Sequence, residues 1–355
     1  MKIVYKLLRR LLQSFSRRII LCPLIMSLCA CEQSPDHQQL VILSGLTMGT
    51  TYTVKIASPE SKLDRIAVSE EINLRLDRVN TQMSTYIETS VLSLFNQSST
   101  KDWVEIPAEL HTVIEEALRI NKLSNNAFDI TIGPVVNLWG FGPEKQSTII
   151  PDESAIHEAL DNVGSQNIHI DAEAHAIKKD NPDLYIDLSA IAKGFAVDVI
   201  ADFLDVLSIN NYMVEIGGEI KTRGINPDNK IWQIGIEKPV EDQRTVQTVV
   251  TLNNTGMATS GDYRNYFEKN GLRYSHTIDP ATGKPITHKL ASVTVLHPST
   301  MTADAMATAL LVLGPEHGFE LALKENIAAL FLIREKDIFI EKMTPQFKQA
   351  VASSE

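Results

Sequence analysis

The sequence predicts an α+β fold, a single domain built on a largely antiparallel sheet. Two observations carry this. Strand-like segments follow one another between residues 212 and 296, mixed with helices elsewhere, without the strand–helix alternation of a doubly wound sheet. No linker or repeat divides residues 45–345. The balance of the 355 residues, 44% hydrophobic and 22% charged, is that of a globular protein and excludes wholesale disorder and a polytopic membrane protein.

The elements follow in order. Residues 1–18 are basic and residues 19–30 mostly apolar, too short to span a membrane comfortably and laid out like a signal peptide. The segment ends Leu28-Cys29-Ala30-Cys31, the pattern of a lipobox with Cys31 as the lipidated residue; the alternative is an ordinary signal or anchor with a chance cysteine. This divides the chain into a signal peptide (1–30), a lipid-attached tether (31–44) and a folded domain (45–345). Residues 51–56 alternate like a half-buried strand. Ile72, Leu76, Val79 and Met83 predict a helix over 63–83, and Leu110, Val113, Ala117 and Ile120 another over 107–123. A short helix over 152–163 ends at Gly164, and 168–178 reads as a hairpin. Residues 185–188 form a strand entering a helix capped by Ser189 that runs to about 207. Strands are expected over 212–220, 231–237, 248–252, 263–267, 272–279 and 292–296, with Asn270-Gly271 in a hairpin turn. A helix over 302–313 stops at Gly314-Pro315, and 319–324 and 328–333 close the chain as helix and strand.

Charge narrows the function. The first 31 residues hold six basic and no acidic residues; beyond them 27 basic residues face 44 acidic ones, a net charge of −17. Such a surface repels phosphate backbones, so no nucleic-acid partner is expected. An anionic ligand needs local help from backbone N–H groups, a lysine or a metal ion. All three cysteines (Cys22, Cys29, Cys31) lie in the first 31 residues, which excludes cysteine catalysis and thiolate metal sites from the folded part.

Four polar segments interrupt the apolar pattern. Asp187 to Gly194 ends a strand in a carboxylate and opens a helix with Lys193 in its first turns, suited to an anion or merely a capped helix with a solvated lysine. Gly217-Gly218 permits close backbone approach or marks a bulge. Asp262 and His276 flank the predicted hairpin; His276 suits a base near neutral pH, or a satisfied strand histidine. Asp304 and Thr308 share one helix face, and their oxygens suit Mg²⁺ completed by phosphate and carbonyl ligands; the alternative is an acid favouring the helix dipole.

Together with Met48-Gly49-Thr50-Thr51-Tyr52, Met83-Ser84-Thr85-Tyr86 and Phe128-Asp129-Ile130-Thr131, these ordered motifs closely resemble the ApbE family of FAD:protein FMN transferases over about 45–335. The resemblance implies a T-fold-like domain that binds FAD with Mg²⁺ and moves FMN onto a threonine or serine of a partner protein, releasing AMP. It implies an FAD site at Met48, Tyr86, Ala127, Phe128, Asp129, Asp187, Lys193, Gly217, Gly218 and Ile278. It implies Mg²⁺ ligands at Asp304, Thr308 and the carbonyl of Ala190, with His276 as base and Asp262 as runner-up. The implied acceptors are flavin-bearing subunits of Rnf-type or sodium-pumping NADH:quinone reductases, and the implied location is the periplasmic side of the inner membrane. An FAD pyrophosphatase giving FMN and AMP, and a flavin carrier without turnover, are the alternative functions.

Overall fold

The computed structural model describes residues 39–58, 63–143, 150–240, 245–262, 266–269, 272–336 and 338–352. The signal segment and Cys31 lie outside them.

The chain begins its sheet with β1 (Gln39–Thr47) and β2 (Thr50–Ser58), joined through Met48 and Gly49, both at positive φ. That handedness suits the twist of a two-residue hairpin. β1 starts inside the 31–44 segment expected as tether, because Val41 and Leu43 alternate into the core. Helix α1 (Arg65–Met83) is capped by Asp64 and buries Ile72, Leu76, Val79 and Met83. α2 (Val91–Gln97), capped by Ser90, and β3 (Val104–Glu105) follow. α3 (Ala108–Leu123) starts after Pro107. α4 (Gly133–Leu138) and α5 (Glu153–Leu160) precede the hairpin of β4 (Ile168–Asp171) and β5 (Ala176–Lys179).

After α6 (Ala192–Val206) come β6 (Tyr212–Ile216), β7 (Glu219–Arg223), β8 (Trp232–Glu237), β9 (Val246–Leu252) and β10 (Thr255–Gly261). Then come β11 (Tyr266–Lys269), β12 (Leu272–Ser275), β13 (Ile278–Asp279), β14 (Lys284–Pro285) and β15 (Leu290–His297). The chain closes with α7 (Thr300–Lys324), β16 (Ala328–Glu335), β17 (Ile338–Met343) and α8 (Pro345–Ala352).

The main sheet has eight strands in the order β1-β2-β6-β7-β10-β15-β16-β17, every neighbouring pair antiparallel. Its inner strands are covered on both faces. Val214, Ala258, Val293 and Phe331 join the large core that includes α6 and α7; their neighbours Met213, Met257, Leu296, Leu330 and Leu332 face a second core made with the β8–β9 hairpin and Phe347 of α8. Alternation of side chains along a strand produces these two layers.

Three local expectations are corrected. The strand expected over 212–220 is a hairpin, because Gly217 and Gly218 both take positive φ (62° and 109°) and reverse the chain between β6 and β7. Residues 185–188 form no strand, and Ser189 does not cap α6: its N–H donates to Asp187 Oδ1 at 2.9 Å, and the helix opens only after Ile191, with no side-chain cap of its own. The stop expected at Gly314-Pro315 is present: Gly314 takes non-helical angles (φ 80°, ψ −175°), and α7 is two helical stretches that meet there at a kink. The strand expected over 272–279 is two, β12 and β13, while residues 263–265 of the strand expected over 263–267 lie outside the described residues.

Candidate functional site

A cavity of about 800 Å³ opens where the β1–β2 hairpin, the β6–β7 turn and the starts of α6 and α7 come together. It is lined by Tyr86, Ala127, Phe128, Asp129, Asp187, Ala190, Lys193, Gly217, Gly218, His276, Ile278, Asp304 and Thr308. Residues far apart in the chain thus share one wall. Met48 and Asp262 are not among the lining residues. Met48 sits in the β1–β2 turn against the large core. Asp262 is buried and holds Arg334, with Oδ1 3.2 Å from one guanidinium nitrogen.

The loop carrying Ala127 and Phe128 is shaped by Asp129. Its Oδ1 accepts the Thr131 N–H at 2.8 Å and the hydroxyls of Thr131 (2.6 Å) and Ser165 (2.7 Å). The carboxylate therefore organises the wall. Asp187 stands opposite, its backbone N–H donating to Ile130 O at 2.7 Å, and burial pushes its carboxyl above the ordinary range. Tyr86 is 67% exposed, so its ring is a flat surface available for stacking.

The polar pole joins two buried carboxylates to a partly buried lysine. Lys193 Nζ lies 3.4 Å from Glu219 Oε1 and 3.7 Å from Asp304 Oδ2. Burial alone lowers an ammonium pKa, but the two carboxylates outweigh it and hold Lys193 above its usual value. Burial, reinforced by the charge of Asp304 and opposed by Lys193, pushes Glu219 up to about 8. Glu219 is 3% exposed and its Oε2 has no hydrogen-bond partner among the described residues. A buried oxygen in that state is an acceptor awaiting a donor or cation.

Asp304 and Thr308 stand one turn apart on α7. Asp304 Oδ2 accepts the Gly194 N–H at 3.0 Å, and Thr308 Oγ1 is 2.7 Å from Ser260 Oγ. Among the described residues no group of three or more His, Cys, Asp or Glu could hold a metal. The donor set is one carboxylate, one hydroxyl and the nearby Ala190 backbone, all hard oxygens. That composition fits Mg²⁺, which binds through one or two carboxylates and leaves positions for phosphate and water.

Gly217 lets this pole stay tight: a Cβ there would lie 2.9 Å from Thr50 Cγ2 and 3.4 Å from Lys193 Cδ. His276 follows β12 directly and faces the ring of Phe141 edge-on, centroids 6.3 Å apart. Phe141 in turn stacks with Phe267, and Phe267 with Tyr274, so an aromatic ladder steadies the β11–β12 hairpin beside the cavity.

Sequence reasoning passed over Glu219, Thr50 and Ser260 as site residues, although all three line the cavity. Glu219 carried a usable signal: an acid directly after Gly-Gly is turned inward once that pair is read as a hairpin turn rather than a strand end.

The model of the ApbE family matches residues 48–331. A Vibrio cholerae protein described as FAD:protein FMN transferase is 45% identical over 324 residues, covering 91% of this chain and 96% of that protein. A Haemophilus influenzae protein of the same description is 46% identical over 342 residues, covering 95% and 98%. The structure of "Flavin Transferase ApbE from Vibrio cholerae" superposes with a TM-score of 0.82 at 44% identity, over 88% of this chain and 99% of that one. The apo form of the Pseudomonas stutzeri flavinyl transferase ApbE gives 0.81 at 38% identity, over 88% and 97%. Agreement of sequence and fold over nearly the whole described chain leaves one assignment, and the protein belongs to the ApbE family.

Proposed function

We propose that this protein transfers the FMN half of FAD to a threonine or serine hydroxyl of an acceptor protein, in a Mg²⁺-dependent reaction that releases AMP. The convergence of Lys193, Asp304, Thr308, the Gly217-Gly218 turn and His276 on one cavity carries the reading. The description of its relatives as FAD:protein FMN transferases supports it.

Mg²⁺ held by Asp304, Thr308 and the carbonyl of Ala190 would neutralise charge on the phosphoryl oxygens. Lys193 adds a fixed positive charge at the same pole, and the Gly217-Gly218 turn admits the diphosphate close to the backbone. Tyr86 offers aromatic surface to a planar ring system. His276 accepts the proton of the acceptor hydroxyl as its oxygen bonds to the FMN phosphorus; the bond from that phosphorus to the bridging oxygen breaks, and AMP leaves with that oxygen. Asp262 is poorly placed for this step, since Arg334 engages both its carboxylate oxygens.

Acceptors are flavin-bearing subunits of Rnf-type or sodium-pumping NADH:quinone reductases, and a lipid on Cys31 holds the domain on the periplasmic side of the inner membrane. The deciding experiment incubates the protein with FAD, Mg²⁺ and such a subunit and weighs the products. Acceptor gaining an FMN phosphoester, with AMP in equal amount, is expected, and Asp304→Ala is expected to abolish it. Free FMN and AMP with unmodified acceptor would make the protein a pyrophosphatase; unchanged FAD would make it a carrier.

A further inference from the structure

Two helix N-termini meet at the polar pole, and neither is capped only from within. α6 has no capping side chain of its own; the N–H of Gly194 in its first turn donates to Asp304 Oδ2, from α7. At the start of α7, Ser299 Oγ accepts the Thr302 N–H at 3.2 Å, but the N–H groups of Thr300 and Met301 turn to Asp198, on α6, at 3.0 and 3.1 Å. The Ser299 hydroxyl also donates to Asp198, at 2.9 Å. Each helix thus lends a carboxylate from within its first two turns to the open end of the other. A third element joins at Asp198: Lys221 Nζ lies 2.8 Å from its Oδ1. Lys221 stands two residues after Glu219 on β7, on the same strand face.

We propose that Asp198 is the positioning residue for the polar pole, setting the register of Asp304, Thr308 and Lys193; this rests on the Mg²⁺ reading of Asp304 and Thr308. Asp198 is not one of the cavity-lining residues, so it acts through α6 and α7, the helices that carry Lys193, Asp304 and Thr308. Its four bonds are charge-assisted and stronger than neutral ones. Without them the first turn of α7 has two N–H groups lacking an acceptor, and the metal-binding carboxylate one turn further on loses its fixed origin. Asparagine is no substitute, because its amide N–H₂ would face N–H donors.

The test titrates Mg²⁺ alone into the full protein with FAD present, following the thermal shift, and repeats the titration by rate of FMN transfer. Asp198→Asn is expected to raise the half-saturating Mg²⁺ concentration about tenfold or more, the usual effect of removing a group that orients a metal ligand. Transfer at saturating Mg²⁺ should return to within about threefold of wild type, because no reacting group is lost. Lys221→Met keeps the cap and should stay within about twofold. Ser299→Ala, a milder change in case Asp198→Asn does not fold, should raise half-saturation about threefold. Variants with lowered Tm but wild-type half-saturation overturn the proposal. A wild type whose thermal shift ignores Mg²⁺ overturns the metal reading itself and the proposal with it, and the wild-type titration tells the two failures apart.

Discussion

Gly194→Ala tests how closely the two helices must approach for the site to exist. A Cβ at Gly194 would lie 2.4 Å from the backbone oxygen of Thr300 and 2.8 Å from Asp304 Cβ. The first contact is with main chain and cannot rotate away. Reaching an ordinary carbon–oxygen separation requires α6 and α7 to part by about 1 Å. Overpacking of this kind costs about 1–3 kcal/mol. The Gly194 N–H would also lose its bond to Asp304, worth about 1 kcal/mol as a helix cap. Alanine's better helix propensity returns about 1 kcal/mol. The net loss is about 2 kcal/mol, and at 2–4 °C per kcal/mol Tm should fall by roughly 4–8 °C. Displacing Asp304 by about 1 Å should slow transfer on the order of 10²-fold. Thermal unfolding and Mg²⁺-dependent FMN transfer measured on one preparation check both figures. Wild-type Tm together with wild-type transfer would refute the close approach and the placement of Asp304.

Other outcomes follow from the same geometry. His276→Ala should retain FAD binding, measured by flavin fluorescence, and lose about two orders of magnitude in transfer; near-normal transfer would remove it as the base. Glu219, pushed up from 4.5 to about 8, holds its proton more tightly folded than unfolded, so its contribution is full below about pH 4.5 and lost as pH rises through about 8. Without added metal, Tm should therefore drop between pH 5 and about 8 in wild type and less in Glu219→Gln; identical pH profiles would contradict the shift. Cys31→Ser should move the protein out of the lipid-modified, detergent-extracted fraction, since each buried CH₂ of an acyl chain contributes about 0.8 kcal/mol; unchanged mass and fractionation would reject lipidation.

Much of this was legible where one periodicity acts alone. α1 and α3 bury the residues their spacing marks, and Asp304 and Thr308 reach the cavity from one helix face as a four-residue separation requires. The sequence was misleading where tertiary partners replace local ones. The apolar pattern of 212–220 crosses a glycine pair whose two positive φ angles reverse the chain, and hydrophobicity does not encode φ. Ser189 has the chemistry of a cap, but Asp187 takes its N–H and a carboxylate 110 residues away caps the helix instead. β10 was missed as a strand because Thr255–Gly261 is made of small and polar residues, and it is held by pairing with β7 and β15. Asp198 gave no signal at all, since its role exists only once α7 is laid against α6.

The pairing of β2 with β6 has a kinetic consequence. Tyr52 faces Ile216 in this ladder, so the β1–β2 hairpin can form on its own but joins the sheet only after the helical segments between have been accommodated. Closing so long a loop is entropically unfavourable before any contact rewards it, which makes such pairings slow steps. Thr50, Thr51 and Thr53 reach the cavity from β2, and Gly217 and Gly218 from the turn after β6. This wall of the cavity is therefore assembled by the most sequence-distant strand closure on that side of the sheet. In refolding, flavin binding should appear with the slow phase, after most of the helical signal has returned.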